Sequence, residues 1–407
     1  MLYTKYKFSS LLETIIDNRG RNPESYFDNG PYPVIDNYLI QNTFYPDLSK
    51  VQRFLDKTLF DSFLRGYIRH LDVLMTLVGN GCGNVTLAPK ENAVIVQNTV
   101  GFRCNPCIAS NIYLYYYFVS INSGLKALDR GSSQPSINRT DVLKLNVFLP
   151  PLPIQKKIAS ILSAYDSLIE NNQKRIKLLE QMAENLYKEW FVRFRFPGYE
   201  NVEFEGGIPK GWEYKPLGDI ASFERGLSYS SEEIDCDDGL NLVNLKNIEA
   251  FGGYRRDGLK HYNGKYKTAQ VVKKGDLVMG VTDMTQDRRT VGAVALIPEI
   301  EGISVISADL VKIVSKQPNL FLYCLCRYGY YSKFFSQFAN GANVLHLKPN
   351  TLLNKKVLMP TDRIIKKFVE MVQPSIDCID DLYQQNDILS TQRDLLLPRL
   401  MSGKLSI

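Results

Sequence analysis

The sequence predicts an α+β fold: two similar globular domains separated by two long helices packed as an antiparallel coiled coil, a pseudo-two-fold internal repeat. Three observations carry this. The chain repeats itself, each copy ends in a long segment with helical apolar spacing, and ahead of each such segment short apolar runs alternate with turn residues. From Gly131 and Gly341 an offset of 210 is held without a gap, pairing Leu143 with Leu353, Val147 with Val357, Pro150 with Pro360 and Lys156-Lys157 with Lys366-Lys367. It continues through Ile169 and Ile379 to Leu186 and Leu396. A period this long means duplicated domains, not a solenoid of short repeats.

Upstream the offset slips. Val34, Ile35 and Ile40 match Leu242, Val243 and Ile248 at 208, Leu71 to Met75 match Gly275 to Met279 at 204, and Leu87 and Pro89 match Leu296 and Pro298 at 209. The second copy is therefore five residues longer, 209 against 204, in one connection between two apolar segments. That connection reads Gly79-Asn80-Gly81-Cys82-Gly83-Asn84 in the first copy and runs from Thr282 to Arg289 in the second. A repeated scaffold with an unrepeated loop is where partner-specific contacts sit.

Runs such as Tyr32 to Ile35, Val73 to Leu77, Ala93 to Val96, Leu240 to Leu245 and Leu277 to Val281 read as strands. Leu114 to Val119 and Leu320 to Phe338 read as apolar core helices, and the tyrosine run 113–117 belongs to that core. After Pro150, Pro151 and Pro153 the chain has neither proline nor glycine from Ile154 to about Phe194. Its apolar residues fall at heptad spacing: Ile158, Leu162, Tyr165, Ile169, Ile176, Leu179 and Leu186, with Asn172 as a polar, register-fixing member. The tail repeats the pattern with Phe368, Val372, Ile379, Leu382, Leu389 and Leu396, interrupted by Asn386. Pro374 falls inside it, where a proline kinks or divides a helix. Each apolar stripe is too narrow for a helix standing alone, and a two-fold relation between the copies lays the two helices antiparallel. The expected segments are 1–150, 151–195, 196–360 and 361–407: domain, helix, domain, helix.

At 407 residues and 44% apolar content the chain can bury at least two cores. No apolar run approaches the roughly 18 residues of a membrane span. Met1 to Phe8 lacks the apolar core of an export signal, so a cytoplasmic location is expected. Seven cysteines, an odd number, fit a reducing compartment. Cys104 with Cys107 and Cys324 with Cys326 have ligand-like spacing, but they fall in different copies and read as buried structural residues. The net charge of +6 permits an anionic partner, and basic pairs such as Arg19/Arg21, Arg255/Arg256, Lys273/Lys274 and Arg288/Arg289 lie in loop-type sequence, where arginine can fork onto guanine edges or phosphates.

Reaction centres are what the sequence lacks. His70, His261 and His346 have no metal-type partner at i+3 or i+4. There is no Gly-Lys-Ser/Thr phosphate loop, and the glycines at 79, 81 and 83 read as a hairpin turn. The one Pro-Pro has leucine on both sides, unlike the Pro-Pro-aromatic tetrad of DNA amino-methyltransferases, and no acidic pair followed by Glu-x-Lys suggests a nuclease. No metal is expected.

The strings Leu149-Pro-Pro-Leu-Pro-Ile-Gln-Lys-Lys-Ile158, Glu189-Trp-Phe-Val-Arg-Phe-Arg-Phe-Pro-Gly198 and Ile208-Pro-Lys-Gly-Trp212 resemble the specificity subunit of Type I restriction-modification enzymes, and the resemblance covers essentially the whole chain. It implies two target-recognition domains, a split double-stranded DNA target read one half per domain, two methyltransferase subunits as partners, and translocating restriction subunits for cleavage. S-adenosylmethionine, ATP and magnesium would then belong to those partners, and this chain would be non-catalytic. Met359-Pro360-Thr361-Asp362, where the first copy has its fuller proline cluster, departs from the pattern. Base contacts do not carry over from the family. On physical grounds asparagine and glutamine suit adenine and arginine suits guanine, which selects Asn80, Asn84 and Gln134 in the first half and Gln286, Arg288, Arg289 and Asn343 in the second. Arg19, Arg21, Arg255 and Lys348 are the phosphate candidates. Two other classes stay open at this point: an autonomous two-domain DNA-binding or scaffold protein, and a fused modifying enzyme with an unrecognised catalytic motif.

Overall fold

The computed structural model describes residues 3–20, 23–131, 134–234 and 239–405. It divides into two compact units, Met1–Asn172 with Gln385–Ile407, and Gln173–Gln384. Each unit thus takes a globular domain together with part of each long helix.

In the first unit four short strands form an antiparallel sheet in the order Leu12–Ile16, Thr99–Cys104, Val73–Thr76, Val85–Leu87. Helix α1, Asn111–Ser120, is capped by the Ser110 hydroxyl, which accepts from the Tyr113 amide. It buries Tyr113, Leu114, Tyr115, Tyr116 and Phe118 in one cluster with sheet residues Val73, Met75 and Phe102. The tyrosine run is core, because three of its rings face inward at this spacing. Strand Thr4–Lys7 pairs antiparallel with Asn146–Leu149, which hands the chain to helix α2, Leu152–Tyr187. Gln155 in the first turn of α2 is buried; its Oε1 accepts from the Ser110 amide at 3.0 Å, and its Nε2 donates to the carbonyls of Ile108 (3.1 Å) and Pro150 (2.9 Å). One side chain thereby ties the helix start to the domain core.

The second unit repeats the plan. Its main sheet has the same order, Ala221–Arg225, Leu310–Ser315, Leu277–Gly280, Val294–Leu296. A second sheet adds Lys260–Tyr262, Leu240–Val243, Ser304–Ile306 and Val271–Val272. The parallel pairing of Leu242 with Val305 there answers the parallel bridge of Val34 with Val94 in the first unit. Glu213–Pro216 pairs with Lys356–Met359 as Thr4–Lys7 does with Asn146–Leu149. The stretch read as one helix from Leu320 to Phe338 is two, α3 at Asn319–Tyr328 and a short helix Tyr331–Ser336, broken where Gly329 is followed by Tyr330 at φ 64°. Ala93 to Val96 is buried and makes one parallel bridge, with the Val94 amide donating to Pro33 (2.9 Å) and the Ile35 amide to Val94 (2.8 Å), rather than a full strand. The aromatic string after α2 is core: Phe191 meets Phe368 at 4.8 Å between ring centroids, and Phe196 stacks on Trp212 at 5.3 Å.

Helix α4, Asp362–Met401, runs unbroken through Pro374, so the proline does not divide it. Pro374 is exposed, so the carbonyl that loses its amide partner can turn to water. Where Gln155 anchors α2, α4 has the apolar Ile365, buried at the equivalent position.

Within each unit the helices run antiparallel. In the first, Ile158 and Leu162 share a buried cluster with Leu397 and Leu400, Asp166 pairs with Arg393, and the Asn172 amide donates to Asn386 Oδ1 (3.0 Å) and Gln385 Oε1 (2.9 Å). In the second, Ile176 packs with Ile379 and Leu382, and Tyr187 and Trp190 meet Phe368. Of the heptad positions, Ile158, Leu162, Asn172, Ile176, Phe368, Val372, Ile379, Leu382 and Asn386 are buried, and Tyr165, Ile169, Leu179, Leu186, Leu389 and Leu396 are half-buried. Near the carboxyl end the buried positions are Leu397 and Leu400, one residue out of phase with Leu396.

Candidate nucleic-acid interface

The connection that differs between the copies is a long turn in both units, docked on the same second loop. In the first unit residues 77–84 join the hairpin strands Val73–Thr76 and Val85–Leu87. They are clamped by a bridge of Val78 with Ser136, by the Gly79 amide donating to Pro135 (2.8 Å) and by the Ile137 amide donating to Leu77 (2.8 Å). In the second unit residues 281–293 occupy this place, and Thr282–Asp283 pairs with Leu345–His346.

The second loop is closed the same way twice. The Arg130 amide donates to the Ser136 carbonyl, and 210 positions on the Asn340 amide donates to the His346 carbonyl, both at 3.0 Å. Each loop opens on a glycine that nothing larger could replace as the backbone stands. A Cβ at Gly131 would lie 1.7 Å from the Gln134 carbonyl oxygen, and one at Gly341 would lie 1.9 Å from that of Val344. In the first unit the Asp129 carboxylate accepts from the Ser136 (2.7 Å) and Gly131 (2.9 Å) amides, and these bonds hold it below the usual carboxylate range.

On this shared frame the candidate side chains separate into two groups. Asn80 and Gln134 are exposed, and a Cβ built on Gly79 would sit 3.2 Å from Gln134 Nε2 and 3.0 Å from Asn37 Nδ2, so both amides flank the turn. Asn84 is turned inward: its Oδ1 accepts from Asn42 and its Nδ2 donates to the Ile40 carbonyl. In the second unit Gln286 is exposed and bridges the two loops through the Ala342 carbonyl at 2.9 Å. Arg288, at φ 55°, donates to the Ser336 carbonyl at the end of the short helix, while Arg289 pairs with Asp287 at 2.6 Å on the surface. Asn343 and Lys348 are exposed on the second loop and just after it. Asp283 organises the longer turn. Burial alone would raise its carboxyl, but the amides and hydroxyls of Thr290 and Thr285 outweigh that and hold it below the usual range.

The phosphate candidates divide similarly. Arg19 forks onto Asp17, which also takes Arg139 at 2.6 Å; burial opposes ionisation of Asp17, and the hydrogen bonds and charges of these arginines prevail and lower it. Arg21 lies outside the described residues. Arg255 is exposed beside Asp257 (2.9 Å), whereas its neighbour Arg256 reaches Asp380 on α4 (2.8 Å) and lies over the Tyr383 ring. Half of that basic pair therefore fastens domain to helix. Sequence reasoning did not find Asn37, which no spacing ties to residue 79, nor Asp166, whose partner Arg393 lies 227 positions away. Among the described residues no group of histidine, cysteine, aspartate and glutamate is arranged to hold a metal ion, and no helix is long and apolar enough to cross a membrane.

Comparison with known proteins gives one answer by each route. A family model described as the Type I restriction modification DNA specificity domain matches residues 6–181. The MjaIX specificity subunit of Methanocaldococcus jannaschii is 30% identical over 311 residues, 72% of this chain and 69% of the relative. The HindI specificity subunit of Haemophilus influenzae is 23% identical over 417 residues, covering 83% of this chain and 87% of that one. Among solved structures the S subunit of a Type I restriction-modification system from M. genitalium superposes with a TM-score of 0.61 over 98% of this chain and 96% of the other, at 16% identity, a likeness of fold. With the internal duplication, the paired helices and the matched relatives in agreement, this chain belongs to the family of Type I restriction enzyme specificity subunits.

Proposed function

We propose that this chain supplies the sequence specificity of a Type I system by reading a split double-stranded DNA target, one half in each domain. DNA recognition is the task that membership of the family assigns to it; the division of labour between the halves rests on one observation. The two units place the same two adjacent loops at the same point of the same sheet, opened by the same glycine, yet furnish them with unlike polar groups: Asn80 and Gln134 in the first, and Gln286, Arg288 and Asn343 in the second. Amides suit adenine edges and arginine suits guanine. Arg19, Arg255 and Lys348 are assigned to the phosphates, where contacts position the protein without specifying sequence.

Chemistry is assigned to partners, two methyltransferase subunits and the restriction subunits, with S-adenosylmethionine, ATP and magnesium bound there. The isolated chain is then expected to bind neither S-adenosylmethionine nor ATP by calorimetry, and micromolar affinity for either would refute this. The split-target reading is tested by mapping methylated bases in the source genome with and without this gene, and after exchanging residues 1–150 for the corresponding domain of a relative. One half-site should change. If both change, the assignment of one half to each domain is wrong.

A further inference from the structure

The connections that follow the matched isoleucines Ile40 and Ile248 each contain a left-handed residue, two positions on in the first unit and three in the second, and the two side chains are disposed differently. In the first the residue is Asn42, at φ 59°, a type that adopts this conformation at little cost. Its side chain is turned into the protein, accepting from the Val85 amide at 2.9 Å and donating to Asn84 at 3.2 Å. In the second the residue is Phe251, at φ 67°. For a bulky side chain that is an outlier, and the ring is not drawn into the fold to compensate, because 59% of it is exposed.

The turn around Phe251 is held firmly. The Glu249 amide donates to the Gly253 carbonyl (2.9 Å), the Gly253 amide to Val294 (2.8 Å), and the amide of Phe251 itself to the Arg289 carbonyl (2.7 Å). The ring therefore stands at the tip of a hairpin beside the loop that carries Gln286, Arg288 and Arg289, with Arg255 on the same hairpin. Backbone strain that leaves an aromatic side chain in water points to a use outside the folded chain. Arg255, Arg288 and Arg289 lie around it, two of them paired on the surface with Asp257 and Asp287, so their outer N–H groups are within reach of a partner that Phe251 would touch.

We propose that Phe251 is an apolar DNA contact of the second domain, wedged against the bases that border the half-site this domain reads. The inference rests on the proposed function and adds a mode of contact to it: an exposed ring packs on thymine methyl groups or between loosened base steps, a recognised way of gripping a duplex that hydrogen bonding does not supply. The first domain, with Asn42 turned inward, has no such wedge at this point.

The test uses the full chain co-purified with its methyltransferase subunits, and Phe251→Asn as the main variant, because asparagine relieves the left-handed strain and keeps the turn. Thermal stability should hold or rise. Affinity for a duplex carrying the mapped target should fall by about ten-fold, in the range for loss of one base-stacking ring, while the salt dependence of binding stays as in the parent, since no phosphate contact is lost. Selectivity should relax at base pairs bordering the second half-site only. A folded Phe251→Asn complex that binds within about two-fold of the parent with unchanged selectivity overturns the proposal, as does intact DNA binding with loss of the methyltransferase subunits, which would make the ring a protein contact. Gln286→Ala and Arg288→Ala serve as controls on the underlying reading. If they too leave the second half-site unchanged, the loops are not the readers and the proposed function fails at that point; if they relax it and Phe251→Asn does not, only the wedge is wrong.

Discussion

Removing Arg393 isolates a charge that the first unit has buried. Asp166 on α2 is 5% exposed and accepts from Arg393 on α4 and from the hydroxyl of Tyr116 in the domain core. Three elements meet at that carboxylate. Burial pushes its carboxyl up, and Arg393 and Tyr116 only partly hold it back. Arg393→Met keeps the stem of the side chain and deletes the charge, leaving the carboxylate with a single neutral donor. Breaking one half of a buried pair costs about 3–5 kcal/mol, so with urea slopes of roughly 1–3 kcal/mol/M the unfolding midpoint of this unit should fall by about 1 M or more.

The pH dependence gives that prediction its direction. The folded value of Asp166 is raised, so the ionised form is penalised in the folded state: the penalty is absent below the ordinary carboxylate range, grows as pH rises toward the raised value and is complete above it. Without Arg393 the folded value rises further, so the cost of Arg393→Met should be largest at about pH 8 and shrink toward about pH 5. Both tryptophans, Trp190 and Trp212, lie in the second unit, so tryptophan fluorescence reports the second, and the first is read as the part of the circular-dichroism transition that fluorescence does not follow. Asp166→Asn with Arg393→Met should recover much of the loss, because neither charge remains to be desolvated. A single-variant cost under about 1 kcal/mol, or one that does not lessen on acidification, would refute the buried-charge argument.

Gly131→Ala and Gly341→Ala should each abolish recognition of one half-site and spare the other, since the new Cβ would fall 1.7 and 1.9 Å from a carbonyl oxygen; methylation mapping reads the outcome. Asp283→Asn removes acceptor capacity from the turn that presents Gln286 and Arg288 and should cost about 1–3 kcal/mol locally, seen as faster amide exchange over 282–291. Because the folded Asp283 value is lowered, its contribution is complete above the ordinary carboxylate range and is lost as pH falls through that lowered value, so the parent should approach the variant in strong acid. Asn172→Leu leaves Asn386 and Gln385 facing an apolar side chain and should destabilise by about 1–3 kcal/mol, whereas Asn172→Leu with Asn386→Leu should melt higher and, in disulfide-trapping at neighbouring seam positions, show more than one helix register.

What the sequence made legible was whatever duplication wrote twice. The offset of 210 marked the helices and the strand before each, and its slip from 204 to 209 located the long turn, because an insertion in one copy is visible against the other. Solitary features were less accessible. Pro374 looked like a break, but an exposed position on a long helix tolerates the loss of one hydrogen bond. Leu320 to Phe338 looked like one helix because apolar spacing does not register a left-handed residue such as Tyr330. The Asp166–Arg393 and Gln155–Ser110 contacts join residues that no periodicity relates.

The candidate reading surface divides along the same line. Its location follows from the repeat, but the direction in which each side chain points depends on turn geometry, and composition is silent on that. Asn84 and Asn80 are equal candidates on paper, four residues apart in one glycine-rich turn; in the fold one amide is spent on Asn42 and Ile40 and the other is exposed. Arg255 and Arg256 are adjacent, and only the second reaches α4. The comparison between units sharpens this. Each copy has a left-handed residue shortly after a matched isoleucine, and Asn42 folds its side chain inward there whereas Phe251 leaves its ring in water. A duplicated protein carries its own control, and positions where the backbone agrees while the side chains turn opposite ways are the places to look for what each half has been shaped to touch.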